Sequence, residues 1–415
     1  MTQYRQSWLD IDLEAIRDNV MAFREFLKDE ANRKAHADRH VAKTPALMAV
    51  VKADAYGHGS VPVARAAVNA GANWLGVATV AEALKLRDAG IQGNILLLSE
   101  PPESAISELL EANITCTVAS PEFLQTLAGH ALLAGREITY HLKVDTGMRR
   151  IGIAADKAVG LARAAVDLPN LKMGGIFTHF ASADIAKDWE TAQQLELFQG
   201  LVRRLDDLRL RPLLVHACNT AGTLLLPHAH FDMVRVGIGI CGYHPSTDTY
   251  GLVDLTPAMS VRARATLVKP IAMGEGVGYG MTWSAHKPMK LATLPLGYAD
   301  GYPRLCSNKA DVLVDKSGQR IEQVGRVCMD MLMAAAPTSE DVDTGDEFVL
   351  MGTPTSKSSA AEVREIAKKA QKLKLGKAQN FISADEIAEA AETISYEILC
   401  GFGNRLEKVY RNAGL

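Results

Sequence analysis

A chain of 415 residues exceeds the size at which a single hydrophobic core usually stops growing, so two domains are expected. Its formal net charge of -3 and ordinary composition exclude a polyanion or an anionic membrane as the evident partner. Cysteines 116, 218, 241, 306, 328 and 400 are scattered, with no C-x-x-C pair or zinc-type histidine spacing, and read as reduced core residues.

The amino terminus lacks a basic segment leading into an apolar stretch, and no run approaches the ~18 residues of a membrane span, so the cytoplasm is the expected compartment. Trp8-Leu-Asp-Ile-Asp12 alternates like a short strand. A helix is predicted over 13–29, with Ile16, Val20, Phe23 and Leu27 on one stripe. The charged stretch 29–44 reads as an exposed insertion whose His36 and His40 are solvated. Next, Pro45 opens an unbroken apolar run that ends at Lys52 and turns at Gly57 and Gly59. Such a run reads as a strand covered on both faces, as in a parallel sheet. A lone lysine at its end is most often a cation that reaches back to water.

Further short apolar runs alternate with amphipathic segments: 74–78, 95–99, 115–118, 138–144, 174–178, 213–216 and 231–235. With the first they make eight, which predicts the α/β class and a (β/α)8 TIM-type barrel over 1–255. An open doubly wound sheet would show fewer strands. Lys52, Lys143, His179, His216 and Arg235 all fall at or just past the carboxyl ends of separate runs. A barrel gathers such residues on one face, where its chemistry belongs. Past residue 255 the period changes to two, as in Val261-Arg-Ala-Arg-Ala-Thr-Leu267, which predicts a mostly β C-terminal domain over 256–415. Within it the lysine-bearing stretch 357–377 reads as an exposed helix or loop with a solvated face.

Phosphate groups favour backbone N–H groups at glycine-rich turns, and barrels often place such a turn after their last strands. Gly237, Ile238 and Gly239 follow the eighth run, and Asn219-Thr220 follows the seventh. Seven motifs stand in order: Val51-Lys-Ala-Asp-Ala-Tyr-Gly-His-Gly59, Lys143-Val-Asp-Thr-Gly-Met-Arg-Arg-Ile-Gly152, Thr178-His-Phe180, Arg235-Val-Gly-Ile-Gly239, Gly276-Val-Gly-Tyr-Gly280, Gly297-Tyr-Ala-Asp-Gly301 and Gly325-Arg-Val-Cys-Met-Asp330. On these the chain resembles the alanine racemases, enzymes that use pyridoxal 5'-phosphate (PLP) and combine a barrel with a β domain.

That resemblance implies the following roles. Lys52 links to the cofactor aldehyde and then acts as one base at the substrate Cα, because racemisation needs a proton carrier on each face. Tyr279 is the second base and comes from the partner subunit, which makes the enzyme a head-to-tail homodimer with shared active sites. Tyr56, Thr220, Gly237 and Ile238 hold the phosphate, with threonine where the family usually has serine. Arg235 faces the pyridine nitrogen, and His179 lies near the ring. Because arginine stays protonated, that nitrogen gains no proton and the ring is a weaker electron sink. Arg150 reaches the substrate carboxylate, its neighbour Arg149 faces solvent, and Met329 of the partner chain offers a backbone N–H to the same carboxylate. Lys143 matches a lysine that many members carry as a carbamate. Asn404 stands where the family pattern has a tyrosine, which implies more room and acceptance of serine beside alanine. No metal is implied. The implied activity interconverts L- and D-alanine and supplies D-alanine for cell-wall peptidoglycan. A broad-specificity amino-acid racemase and a basic-amino-acid decarboxylase on the same barrel are the alternative enzyme readings. A non-catalytic PLP carrier would lack the chain beyond about 255.

Overall fold

The computed structural model describes residues 5–38, 43–355, 360–372 and 378–412. Strand β1 (Ser7–Asp12) leads directly into a helix over Leu13–Asp38, longer than the pattern predicts. Residues 39–42, including His40, lie outside the described residues, as do the side chains of 32–38, including His36. Eight strands follow where the apolar runs predict them: β2 (Ala46–Val50), β3 (Trp74–Val77), β4 (Asn94–Leu97), β5 (Cys116–Val118), β6 (Ile138–Asp145), β7 (Leu171–Phe177), β8 (Leu214–His216) and β9 (Met233–Val236).

These strands pair in parallel as β9-β2-β3-β4 and β5-β6-β7-β8. A parallel bridge between Leu96 and Thr115 joins β4 to β5. On the other side, Asp232 N–H donates to Val215 O and Arg235 N–H to Cys218 O, each at 3.0 Å, joining β8 to β9. The barrel is therefore closed. Helices follow β2 to β8, and the sector after β9 is covered instead by the first helix, whose Asn19 Nδ2 donates to Ile240 O (3.1 Å) and Thr256 O (2.8 Å).

The run that ends at Lys52 is buried on both faces. Met48 and Val50 pack inside the barrel with Leu96, Phe177 and Met233, while Leu47, Ala49 and Val51 belong to the main core outside it. Burying each of the larger side chains stabilises the strand by roughly 1.5–3 kcal/mol, which fixes where Lys52 emerges.

The second unit is a nine-stranded sheet. Beyond β1 it contains β10 (Met259–Arg264), β11 (Leu267–Ile271), β12 (Met289–Leu294), β13 (Asp311–Val314), β14 (Arg320–Val324), β15 (Leu332–Pro337), β16 (Glu347–Met351) and β17 (Glu407–Arg411). Their order is β11-β12-β15-β14-β13-β16-β10-β1-β17. This amends the division at residue 255. Trp8–Asp12, expected with the barrel, pairs antiparallel with β10 (Leu9 opposite Val261) and parallel with β17 (Leu9 opposite Lys408). A closed barrel has no free edge to offer a ninth strand, whereas the sheet satisfies both edges of β1.

Two charged features also depart from the pattern. Arg262, on the polar side of an alternating strand, is 1% exposed and pairs with Asp315 (2.9 Å), Glu347 (2.8 Å) and Asp10 (3.3 Å). In the 357–377 stretch, the helix Ala360–Lys372 is held by Arg364, which pairs with Asp12 (3.1 Å) and Glu14 at the start of the chain, so this face is docked by charge. Residues 356–359 and 373–377 lie outside the described residues. Cys116, Cys218, Cys241 and Cys306 are buried as expected, but Cys328 is half-buried and Cys400 exposed, because both lie on loops or helix ends. No described helix is long and apolar enough to cross a membrane.

Candidate active site

A cavity of about 530 Å³ opens at the carboxyl end of the barrel strands, and Lys52, Tyr56, Lys143, Arg150, His179, Thr220, Arg235, Gly237 and Ile238 all line it. Its volume is that of an ordinary small-molecule site. Lysine and arginine supply its charge, and among the described residues no carboxylate lines it, so it favours an anionic occupant.

Lys52 is delivered by an unusual backbone. The chain does not wait for Gly57 to turn: Ala53, Asp54, Ala55 and Tyr56 all have φ between 52 and 55°. Each such residue costs roughly 1–2 kcal/mol through Cβ–carbonyl crowding. The left-handed turn is held by Glu82, which accepts from Ala53 N–H (2.7 Å), and by Asp54, which accepts from Ser60 N–H (2.9 Å) and pairs with Lys85 (2.9 Å) and Lys408 (3.2 Å). Burial opposes the Asp54 charge, but the Lys85 and Ser60 hydrogen bonds and Lys408 outweigh it and hold its pKa down at about 2. The turn aims the buried Tyr56 at Gly237, where a Cβ would lie 2.1 Å from the tyrosine hydroxyl. Only glycine fits there, and the Gly237 N–H donates to Thr220 Oγ1 at 3.1 Å. Tyr56 and Thr220 thus bring two hydroxyls to the Gly237–Ile238 turn, a small polar cradle of the kind a phosphate requires.

Just before this cradle in the chain, Arg235 is held by four protein acceptors. It donates to Thr178 O (2.9 Å), Ala217 O (2.8 Å), His179 Nδ1 (3.2 Å) and His216 Nδ1 (3.0 Å). A guanidinium only donates, so His216 Nδ1 accepts and His216 Nε2 carries the proton, which it donates to His141 Nδ1 at 3.0 Å. The remaining proton of His141 then lies on Nε2, buried and without a hydrogen-bond partner among the described residues. Burial first, then Arg235, push both buried histidines toward the neutral form, His141 down to about 3 and His216 well below its usual value. His179 is lowered for the same two reasons. Arg235 itself is brought to about 10 by burial and remains a cation at neutral pH.

Lys143 donates to Leu98 O at 3.1 Å, and its amine lies 4.8 Å from the Phe177 ring centroid. Burial, reinforced by Arg235, Arg150 and Lys52, lowers it to about 7. Lys52 is likewise lowered, by burial and then by Arg150. Asp145, which accepts from Gly147 N–H (2.9 Å) and Arg149 N–H (3.1 Å), shapes the loop; Arg149 and Arg150 are both exposed, and Arg150 lines the cavity mouth. Sequence reasoning missed Tyr396 and Phe177 as lining residues, and Asp54 and His141 as supports. A histidine inside the apolar run 138–144 was the signal available for His141; for Tyr396, on the distant helix Ser395–Gly401, there was none.

Tyr279, Met329 and Asn404 do not line this cavity. Tyr279 is 72% and Met329 53% exposed on the sheet domain, where Tyr279 borders a separate groove of about 710 Å³. Asn404 is exposed. Among the described residues no group of three or more His, Cys, Asp or Glu converges as a metal site would require.

The family model described as "Alanine racemase, N-terminal domain" matches residues 11–245, and "Alanine racemase, C-terminal domain" matches 258–375. The alanine racemase of Symbiobacterium thermophilum is 38% identical over 406 residues, covering 98% of this chain and 97% of that protein. Among solved structures, alanine racemase from the D-cycloserine producer Streptomyces lavendulae superposes with a TM-score of 0.83 at 36% identity, covering 100% of this chain and 98% of that one. Alanine racemase from Bacillus anthracis with bound L-Ala-P gives 0.82 at 32% identity, covering 100% and 97%. Both halves of the chain, matched in order and over nearly their full length, belong to the alanine racemase family.

Proposed function

We propose that the chain is a PLP-dependent racemase interconverting L- and D-alanine with two bases, Lys52 and the Tyr279 of a partner subunit. The observation that carries this reading is a half-buried amine of lowered pKa in a cavity that no described carboxylate lines and that also holds a glycine and hydroxyl cradle. When bound, PLP supplies an aldehyde that links to an amine and a ring that draws electron density from the adjacent carbon. Tyr56, Thr220, Gly237 and Ile238 would hold its phosphate, and Arg235 and His179 its ring.

Lowering of the Lys52 amine by burial and by Arg150 leaves more of it neutral, as needed both to form the link and to take a proton from the substrate Cα. Arg150 holds the substrate carboxylate from the barrel side, and Lys143, as a carbamate, would give that arginine an anionic neighbour. The partner's face brings the hydroxyl of Tyr279 to the other side of the Cα and the backbone N–H of Met329 to the carboxylate. Exposure of Tyr279 on a single chain supports this, since a proton carrier open to bulk water would exchange its proton with solvent rather than with substrate. A charged Arg235, fixed in place by its protein neighbours and a cation at neutral pH, keeps the ring nitrogen from being protonated. The enzyme would act in the cytoplasm and supply D-alanine for peptidoglycan.

Incubating the purified protein with L-alanine in deuterated water tests this. Deuterium at Cα with loss of optical activity is expected. Carbon dioxide release would point to a decarboxylase, and no reaction at all to a carrier.

A further inference from the structure

We propose that Arg405 is a positioning residue for the substrate carboxylate, acting through Asp300 and Asp330 on the loop that carries Met329. The proposal rests on the preceding reading, in which that loop is lent to the partner's site.

Asp300 is fully buried in the turn Tyr298–Asp300, and its carboxylate accepts from Gly297 N–H (2.9 Å) and from Arg5 Nη2 (2.6 Å). Arg405 Nε approaches the same carboxylate at 3.5 Å, and the other end of its guanidinium donates to Asp330 Oδ1 at 2.6 Å. Asp330 is the neighbour of Met329. The turn also lies directly on the loop: Tyr298 N–H donates to Cys328 O and Ala299 N–H to Met329 O, each at 3.0 Å. A Cβ on Gly297 would lie 2.3 Å from Cys328 O, so the two backbones are in contact. On the other side, Asp300 O accepts from Gly403 N–H at 3.2 Å, which binds the segment bearing Arg405 to the same turn.

Four stretches of chain therefore meet at one buried carboxylate. Arg5 alone already neutralises Asp300. The second guanidinium is therefore not needed for charge balance, and its other arm ends on the Met329 loop. Both Arg405 and Asp330 are about half exposed, at 46% and 52% of their side chains, so their ion pair adds little to folding stability. Its planar, charge-assisted geometry fixes the direction of the loop instead. The same segment continues from the helix that carries Tyr396 at the protomer's own cavity, so the loop is anchored to the barrel it leaves behind.

The test uses the PLP-loaded enzyme. In Arg405→Gln the KM for L-alanine should rise roughly tenfold with kcat within about twofold of wild type, as expected when a ground-state contact is loosened. PLP content and sedimentation mass should not change. Asp330→Asn should reproduce the effect, and Arg405→Lys should fall between, since an ammonium cannot span both carboxylates. A wild-type KM in Arg405→Gln would overturn the proposal, as would a rise that accompanies loss of PLP or of the dimer. Wild-type protein that fails to racemise alanine would sink the underlying reading; an active wild type with an unaffected Arg405→Gln would sink this one alone.

Discussion

Lys143 and Lys52 are both lysines at strand ends, yet their surroundings give them different chemistry. The Lys143 amine, brought to about 7 by burial and by Arg235, Arg150 and Lys52, is substantially neutral just above neutral pH and can combine with carbon dioxide. In 13C-bicarbonate the wild type should show a carbamate carbon resonance that is missing from Lys143→Met and that weakens as pH falls below about 7, where the amine protonates. A resonance that persists in Lys143→Met would assign the carbamate elsewhere. Asn404 carries a second expectation. Its short side chain is exposed and does not reach the cavity. Asn404→Tyr should lower kcat/KM for serine relative to alanine several-fold, the range that one removed or added side-chain contact produces. An unchanged ratio in paired assays would rule out this position as a selector. Lys52, Lys143 and Arg235 were legible in the sequence because each ends an apolar run. The protonation pattern of His141 and His216 was not, since it follows from three side chains on three strands lying within 3.0 Å of one another in series.

The left-handed turn over Ala53–Tyr56 is the element on which the phosphate cradle depends, and nothing in the local propensity of Ala-Asp-Ala-Tyr announces it. Alanine favours the right-handed helix. The preference is overturned by tertiary anchors on Asp54 and by the close approach of Tyr56 to Gly237. Asp54→Asn should destabilise the protein by about 1 kcal/mol at pH 7, a small value because solvent reaches part of the carboxylate. The sign follows from its depressed pKa. The Asp54 contribution is complete above its ordinary value of 3.8 and is lost as pH falls toward about 2, so the wild type and variant should converge in that window. Urea titrations at pH 7 and below pH 4 measure this. A difference that persists at pH 2 would assign the effect to packing. PLP affinity, read by fluorescence quenching, should weaken in the same variant because Tyr56 loses its fixed direction.

For the whole molecule, the sheet domain presents Tyr279, Met281, Tyr298 and Met329 to solvent on a single chain. Large exposed side chains grouped in this way usually mark an interaction surface. Shared sites give a numerical expectation. Lys52→Ala and Tyr279→Ala should each be nearly inactive, but a refolded equal mixture should regain roughly a quarter of wild-type activity, because half of a random dimer population is mixed and each mixed dimer has one intact site. Recovery near zero would place both residues in the same protomer's site.

The sequence by itself determined the barrel, because eight apolar runs of strand length separated by amphipathic segments can bury both faces only in a parallel sheet covered by helices. It also determined the residues at the barrel mouth, because a strand's end is fixed by where its apolar run stops. Tertiary structure decided the rest. β1 falls within the stretch assigned to the barrel domain but joins the nine-stranded sheet, where β10 and β17 fill both of its edges. Arg262, a charged residue in an alternating strand, is buried among three carboxylates drawn from distant parts of the chain. The turn at Lys52 is set by contacts with Glu82, Lys85, Lys408 and Gly237, all distant in the chain, against a backbone preference that local sequence would have followed.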